Sequence, residues 1–98
     1  MNIYLIMMEI TPSKDNDVDD CVGAYANCFV KAPSIDIAII TGEKYIEEQK
    51  WIVKSVEETA SVLREEYVDD IELLNAYDEA CEYGVSAIFY TWDEDDSE

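Results

Sequence analysis

One short acidic segment has the residue types of a metal site. Residues 15–20 read Asp-Asn-Asp-Val-Asp-Asp, with carboxylates at alternate positions as at the start of a calcium-binding loop. Such a loop needs a glycine at its sixth position and a glutamate at its twelfth, where this chain has Asp20 and Ala26. The segment therefore predicts a solvated turn, with a weak cation site as the lesser alternative. We expect no metal ion or other cofactor.

The remaining candidates for chemistry are three cysteines, because the chain has no histidine to act as an acid or base. Cys28 lies in an apolar stretch and Cys81 on the apolar side of a predicted helix, so both are predicted to be core residues. Cys21 follows Asp19 and Asp20, whose charges oppose thiolate formation. The sequence contains no phosphate-binding, dinucleotide-binding or serine-nucleophile motif. We therefore expect that the protein is not an enzyme.

The net charge indicates the class of partner. The chain has 24 acidic and 6 basic residues, which give a formal charge of −18. Such a surface repels nucleic acids and anionic membrane surfaces, so neither is an expected partner. It attracts basic proteins instead. The alternative, given equal weight, is that the acidity serves solubility alone.

The cysteines and the first residues of the chain indicate the compartment. An odd number of cysteines without a CxxC pair predicts free thiols, which persist in a reducing environment. Residues 1–10 are mostly apolar, but they lack the basic region and the cleavage site of a signal peptide. No apolar run approaches the length of a membrane span. A cytoplasmic location is the expectation.

Apolar alternation predicts the strands that hold these residues. Residues 2–11 and 22–31 form the two strands of a hairpin with a long loop. The first strand is apolar at both odd and even positions, which is typical of a strand covered on both faces by helices or by a partner. A third strand covers 51–56 and continues irregularly towards Val62, and a fourth covers 85–92.

Two helices are predicted between these strands. Ser34 is the expected N-cap of the first helix, and Gly42 within it predicts a close approach to the sheet. The second helix covers residues 70–83, with Asp69 as its N-cap. Gly84 is the residue expected to end it.

The resulting order, ββαβαβ, predicts an α+β fold in which two helices pack on one face of a four-stranded sheet. This arrangement is similar to that of ferredoxin-like domains. Residues 1–92 are predicted to form a single domain, because 98 residues supply enough chain for one core only. Residues 93–98 are predicted to be an acidic tail.

Two sets of surface residues are candidates for binding. The acidic set combines the loop after the first strand with the outer side of the second helix: Asp15, Asp17, Asp19, Asp20, Glu72, Asp78, Glu79 and Glu82. The apolar set is Ile37 and Ile40, which point away from the core-facing side of the first helix and predict a homodimer interface. The alternative for this pair is a helix enclosed within the fold.

Several segments together resemble a small bacterial single-domain family of unknown function: residues 22–30, residues 51–58, Tyr67 and residues 77–84. The resemblance implies a compact α+β domain and supplies no catalytic residue. The leading hypothesis is an acidic protein-binding module, either an inhibitor or immunity-type protein or a DNA mimic, that acts on a basic partner. The alternative is a structural homo-oligomeric domain whose acidity is incidental. A small-molecule or metal-binding regulator ranks third.

Overall fold

Strands and helices follow one another in the order that the sequence predicts. The computed structural model describes residues 1–14 and 21–93. The strands are β1 (Asn2–Pro12), β2 (Cys21–Ala32), β3 (Trp51–Val62) and β4 (Val85–Asp93), and the helices are α1 (Ile35–Glu48) and α2 (Ile71–Tyr83). A short 3₁₀ turn, Arg64–Tyr67, precedes α2. Strand β4 thus includes the first residue of the predicted tail.

All four strands form one antiparallel sheet in the order β3-β1-β2-β4. The β1–β2 hairpin occupies the centre, and each later strand is added at one of the two edges. The predicted α+β class with a four-stranded sheet is confirmed. The likeness to ferredoxin-like domains is not confirmed, because those domains have the order βαββαβ, whereas this chain begins with a hairpin.

The two helices lie on opposite faces of the sheet, so the prediction that both pack on one face is wrong. Side chains alternate between the faces along a strand. Ile6 and Met8 of β1 pack in one cluster with Ala38 of α1, whereas Ile3 of β1 packs with Ala76 of α2. A strand that is apolar on both faces leaves one of them in water unless each is covered. One helix on each face provides this cover.

Helix α1 approaches the sheet closely. Ser34 caps its first turn as predicted, because the Ser34 hydroxyl accepts a hydrogen bond from the N–H of Ile37 at 3.4 Å. Gly42 is buried against β2, and a Cβ atom added to it would lie 3.4 Å from the Cys28 sulfur and 3.5 Å from a Val30 methyl group. The predicted close approach is confirmed, and the space still admits an alanine.

Helix α2 begins one residue later than predicted and ends where predicted. Its N-cap is Asp70 rather than Asp69, and the Asp70 carboxylate accepts a hydrogen bond from the N–H of Leu73 at 3.2 Å. Gly84 ends the helix in a left-handed conformation with φ of 96°, and its N–H donates to the Ala80 carbonyl at 2.8 Å. Glycine adopts this conformation without strain.

Strand β3 is continuous over 12 residues, which confirms that the predicted third strand extends to Val62. Two bulges interrupt its pairing with β1, and they leave Lys54 and Glu57 without a partner residue on that strand. Each bulge resets the alternation of side chains, so Val53 and Val56 both face α1. The reset explains why the apolar pattern of this segment is irregular in the sequence.

Candidate acidic interaction surface

The side of α2 that packs on the sheet has two buried alanines, with Leu73 and Tyr77 beside them. Ala76 and Ala80 are 5% and 0% exposed, and they belong to the same buried cluster as Phe29 of β2. Small residues allow the helix to lie close to the sheet, so longer side chains on its flanks reach neighbouring elements. The position of each carboxylate around the helix therefore decides what it contacts.

Glu72 and Glu79 lie on the side of α2 that faces β4. They are seven residues apart, which places them on the same side of a helix. The Glu72 carboxylate accepts a hydrogen bond from the hydroxyl of Tyr90, on β4, at 3.5 Å. Both glutamates are exposed, and Glu79 forms no hydrogen bond or ion pair with any residue in the described ranges. Glu72 thus contacts β4 directly, and Glu79 follows it on the same side of the helix.

Asp78 lies on a different side of α2 and is engaged within the fold. Its two carboxylate oxygens accept hydrogen bonds from Nε and Nη2 of Arg64 at 2.8 and 3.1 Å. The hydrogen bond from Arg64 lowers the pKa of Asp78. The pair joins the 3₁₀ turn to α2, so this carboxylate has a structural role. Glu82, on the outer side of the helix, is exposed to solvent.

The predicted acidic set is therefore divided. Helix geometry places Glu72 and Glu79 on one side of α2 and Asp78 on another, with Glu82 on the outer side between Glu79 and Asp78. The four predicted loop residues lie outside the described residues, so their contribution to this surface stays a prediction: Asp15, Asp17, Asp19 and Asp20.

Few acidic residues in the described part of the chain are neutralised by ion pairs within that part. Eight of the 24 lie at 15–20 and 94–98, which leaves 16 in the described ranges of the chain. Among the residues of these ranges, two ion pairs form, one between Lys54 and Glu9 at 3.4 Å and one between Arg64 and Asp78. The other described acids are spread over α1, β3, the 3₁₀ turn, α2 and the end of β4.

The two isoleucines predicted for an oligomer interface are on the surface. Ile37 and Ile40 are 45% and 62% exposed, on the side of α1 that faces away from the sheet. Their predicted exposure is confirmed, and the alternative that the chain itself encloses this side of the helix is wrong. A role in oligomerisation stays a prediction.

Two cysteines whose side chains are described occupy different environments. Cys28 is fully buried as predicted, and burial raises the pKa of its thiol to about 12. Cys81 is exposed, so the prediction that it is a core residue is wrong. It lies at the margin of the packed side of α2, where the Lys31 ammonium donates to its carbonyl at 3.5 Å. Both cysteines are free thiols.

A cavity of about 300 Å³ opens beside Cys81, where α2 meets the ends of three strands. The described residues that line it include Lys31, Val62 and Tyr77, and none of them is acidic. No group of three or more histidine, cysteine, aspartate or glutamate side chains in residues 1–14 and 21–93 is arranged to hold a metal ion. None of the described helices has both the length and the apolar character needed to cross a membrane.

Comparisons of the chain with family models, curated proteins and solved structures found no match. The assignment of function therefore depends on the surfaces of the molecule itself.

Strand order adds a feature to the acidic surface that sequence reasoning missed. Strand β4 is an edge strand beside α2, and it contains no charged residue before Asp93. The absence of charge is visible in the sequence and is unusual for an exposed edge. Whether a strand lies at an edge depends on its pairing, which the sequence does not show.

Proposed function

We propose that this protein is an acidic protein-binding module that recognises a basic partner through carboxylates of α2. The observation that carries the proposal is the exposed set of Glu72, Glu79 and Glu82, none of which has a basic partner among the described residues. Three exposed negative charges on one helix provide a surface that a basic protein complements.

Binding of a basic partner would reduce the electrostatic repulsion within the isolated protein. Like charges on a chain of net charge −18 repel one another and lower the stability of the folded state. Opposite charges on a partner remove some of this repulsion and speed the encounter of the two proteins. We therefore expect the association rate to fall as the salt concentration rises.

The distribution of the acids favours local recognition over DNA mimicry. A mimic of DNA needs carboxylates over one continuous face, in positions that replace phosphates. Here exposed acids also occur on α1, for example Glu47 and Glu48, and α1 lies on the opposite face of the sheet from α2. An inhibitor or immunity-type protein needs only one acidic surface that fits its target, which agrees better with this arrangement.

Charge reversal on one helix, with the same reversal on the other helix as a control, tests the proposal. The test variant replaces three glutamates of α2 by lysine: Glu72, Glu79 and Glu82. The control variant replaces three glutamates of α1, on the opposite face of the sheet, by lysine: Glu43, Glu47 and Glu48. The two variants have the same net charge and change it on opposite faces of the sheet.

Wild type and both variants serve as bait for proteins from the native host at moderate salt. One basic protein that is retained selectively, lost with the α2 variant and kept with the α1 variant supports the proposal. If abundant basic proteins are retained together and both variants lose them equally, the acidity serves solubility alone and the proposal fails.

A homo-oligomeric domain is the second candidate, and the exposure of Ile37 and Ile40 favours it. Helix α1 covers one face of β1 and α2 covers one end of the other face, so the exposed pair on α1 is the apolar surface that we assign to a second copy. Added salt screens the repulsion between copies and should strengthen association. Sedimentation of Ile40→Glu, with Ile71→Glu on α2 as the control, tests this: a dimer lost only in the first variant supports it, and a monomer at every salt concentration excludes it.

A further inference from the structure

The outer edge of β4 presents unpaired main-chain groups. In an antiparallel pair, alternate residues direct their N–H and C=O groups towards the neighbouring strand, and the residues between them direct these groups away. The N–H of Lys31 donates to the carbonyl of Gly84 at 2.8 Å. The main-chain groups of Gly84 therefore point towards β2, and so do those of Ser86, Ile88 and Tyr90. The groups that point away from the sheet belong to the intervening residues Val85, Ala87 and Phe89. None of them has a hydrogen-bond partner within the described ranges.

The opposite edge of the sheet, strand β3, is protected against pairing with another strand, whereas β4 is not. Strand β3 has two bulges, and the bulged residues Lys54 and Glu57 are both charged. Bulges and charges are the usual devices that prevent another strand from pairing with an edge. Strand β4 has neither along residues 85–91. Of the two edges, only β4 is suited to accept another strand.

Acidic side chains flank this open edge. Glu72 contacts Tyr90 of β4, and Glu79 lies on the same side of α2 about 10 Å further along the helix axis. Residues on one face of an extended strand are about 7 Å apart. Long basic side chains at alternate positions of an added strand therefore reach both carboxylates.

We infer that the β4 edge accepts an extended basic segment of the partner as a fifth strand, with its basic side chains directed towards Glu72 and Glu79. This inference rests on the proposed function and specifies how the partner binds. Main-chain hydrogen bonds supply affinity in this mode of recognition, and the side chains of alternate residues supply specificity. The segment needs a basic residue at every second position on the α2 side.

A second copy of the chain is the less favourable occupant. Pairing of β4 with β4 of another copy would place Glu72 and Glu79 of both molecules along the same ribbon. Each copy has a net charge of −18, so like charges oppose this contact. The positive charges of a cationic strand at the same edge are instead attracted to the carboxylates of Glu72 and Glu79.

Binding of a heptapeptide that alternates lysine and valine to the full chain tests the inference. Residues directly opposite one another share a face, so valines opposite Val85, Ala87 and Phe89 would donate the hydrogen bonds to β4, while the lysines extend towards α2. Methylation of the valine nitrogens should weaken binding about tenfold or more, because the bonds are lost while the charge is kept. Methylation of the lysine main-chain nitrogens, which point to solvent, should leave binding almost unchanged.

Amide hydrogen exchange locates the peptide without a substitution in the protein. The N–H groups of Val85, Ala87 and Phe89 should exchange more slowly when the peptide is bound. The N–H groups of Ser86 and Ile88 already bond to β2 and should change little.

Slower exchange at the three outward groups, together with the difference between the methylated peptides, supports the inference. Equal binding of both methylated peptides, absence of peptide binding, or unchanged exchange at these groups overturns it and leaves the pull-down test of the proposed function unaffected. Slower exchange that appears without peptide and increases with protein concentration shows that a second copy occupies the edge, which also overturns it.

Discussion

The two faces of the sheet differ in how completely a helix covers them. On the α1 face, Ile6, Met8 and Ile10 of the central strand are all 0% exposed. On the α2 face, the helix covers one end of the sheet, where Phe29 packs edge-on against Tyr67 and Tyr77 with ring centroids 5.4 and 6.3 Å apart.

The rest of the α2 face is open to solvent. Tyr90 is 43% exposed there, and Ile52, which pairs with Thr11 of the central strand, is 52% exposed. A sealed face contributes stability because its apolar side chains are removed from water. A partly open face retains side chains and main-chain groups that another molecule can contact. The comparison indicates that the α1 face is the more completely buried of the two, and it supports the proposal that a partner binds on the α2 side.

The largest expected difference between the faces is in the rates at which Cys28 and Cys81 react with an alkylating reagent. In a Cys21→Ser background, Cys81 should react readily with iodoacetamide, while Cys28 should react only after unfolding. Burial raises the pKa of Cys28 from 9.0 to about 12, so at a given pH its thiolate is roughly a thousandfold rarer than that of an ordinary thiol. Mass spectrometry over time, with and without denaturant, measures both rates. Equal rates in the native protein would show that the α1 face is not sealed.

Phe29 tests how much the aromatic cluster contributes to the α2 face. Phe29→Ala should destabilise the fold by about 3–5 kcal/mol, because it creates a cavity beneath Tyr67 and Tyr77. Phe29→Leu, which retains most of the volume, should cost clearly less. Urea denaturation monitored by circular dichroism gives both values. A loss below about 1 kcal/mol for Phe29→Ala would mean that the α2 face adds little to stability.

The glycines associated with the two helices provide a matched pair. Gly84→Ala should destabilise the protein by about 1–2 kcal/mol, because an alanine is strained at φ of 96° although no atom lies within 4 Å of the added Cβ. Gly42→Ala should be neutral or stabilising by up to about 1 kcal/mol, because alanine favours the helix and its Cβ makes ordinary contacts. Thermal unfolding of both variants checks the opposite signs. Destabilisation by Gly42→Ala comparable to that of Gly84→Ala would contradict the packing described for α1.

The Arg64–Asp78 pair gives the smallest expected effect. The pKa of Asp78 is lowered in the folded state, so the pair stabilises the protein above the unfolded-state pKa, and this contribution is lost as pH falls through the folded-state value. Asp78→Asn should reduce stability slightly near neutral pH and not at all in strong acid, because exposed ion pairs contribute little. Unfolding as a function of pH, with Glu82→Gln as the control, measures this. A difference from wild type that does not depend on pH would assign the effect to packing instead.

Local signals in the sequence predict the structure correctly where one residue has one clear physical role. Ser34 caps α1 and Gly84 ends α2 as predicted, because a side-chain acceptor and a left-handed conformation are properties of single positions. The sequence pattern predicts the N-cap of α2 one residue too early, because Asp69 and Asp70 have the same capping group. The exposure of Ile37 and Ile40 followed from helical spacing alone.

Composition and periodicity by themselves determined the acidic character of this protein, its α+β class and the order of its elements, because these depend on residue types and on local spacing. The tertiary structure alone decided three further points. It placed the helices on opposite faces, paired Asp78 with Arg64 fourteen residues away, and left β4 at an unprotected edge beside Glu72. Each of these depends on which distant segments come into contact, and such contacts are selected by the burial of both sheet faces together rather than by any local pattern.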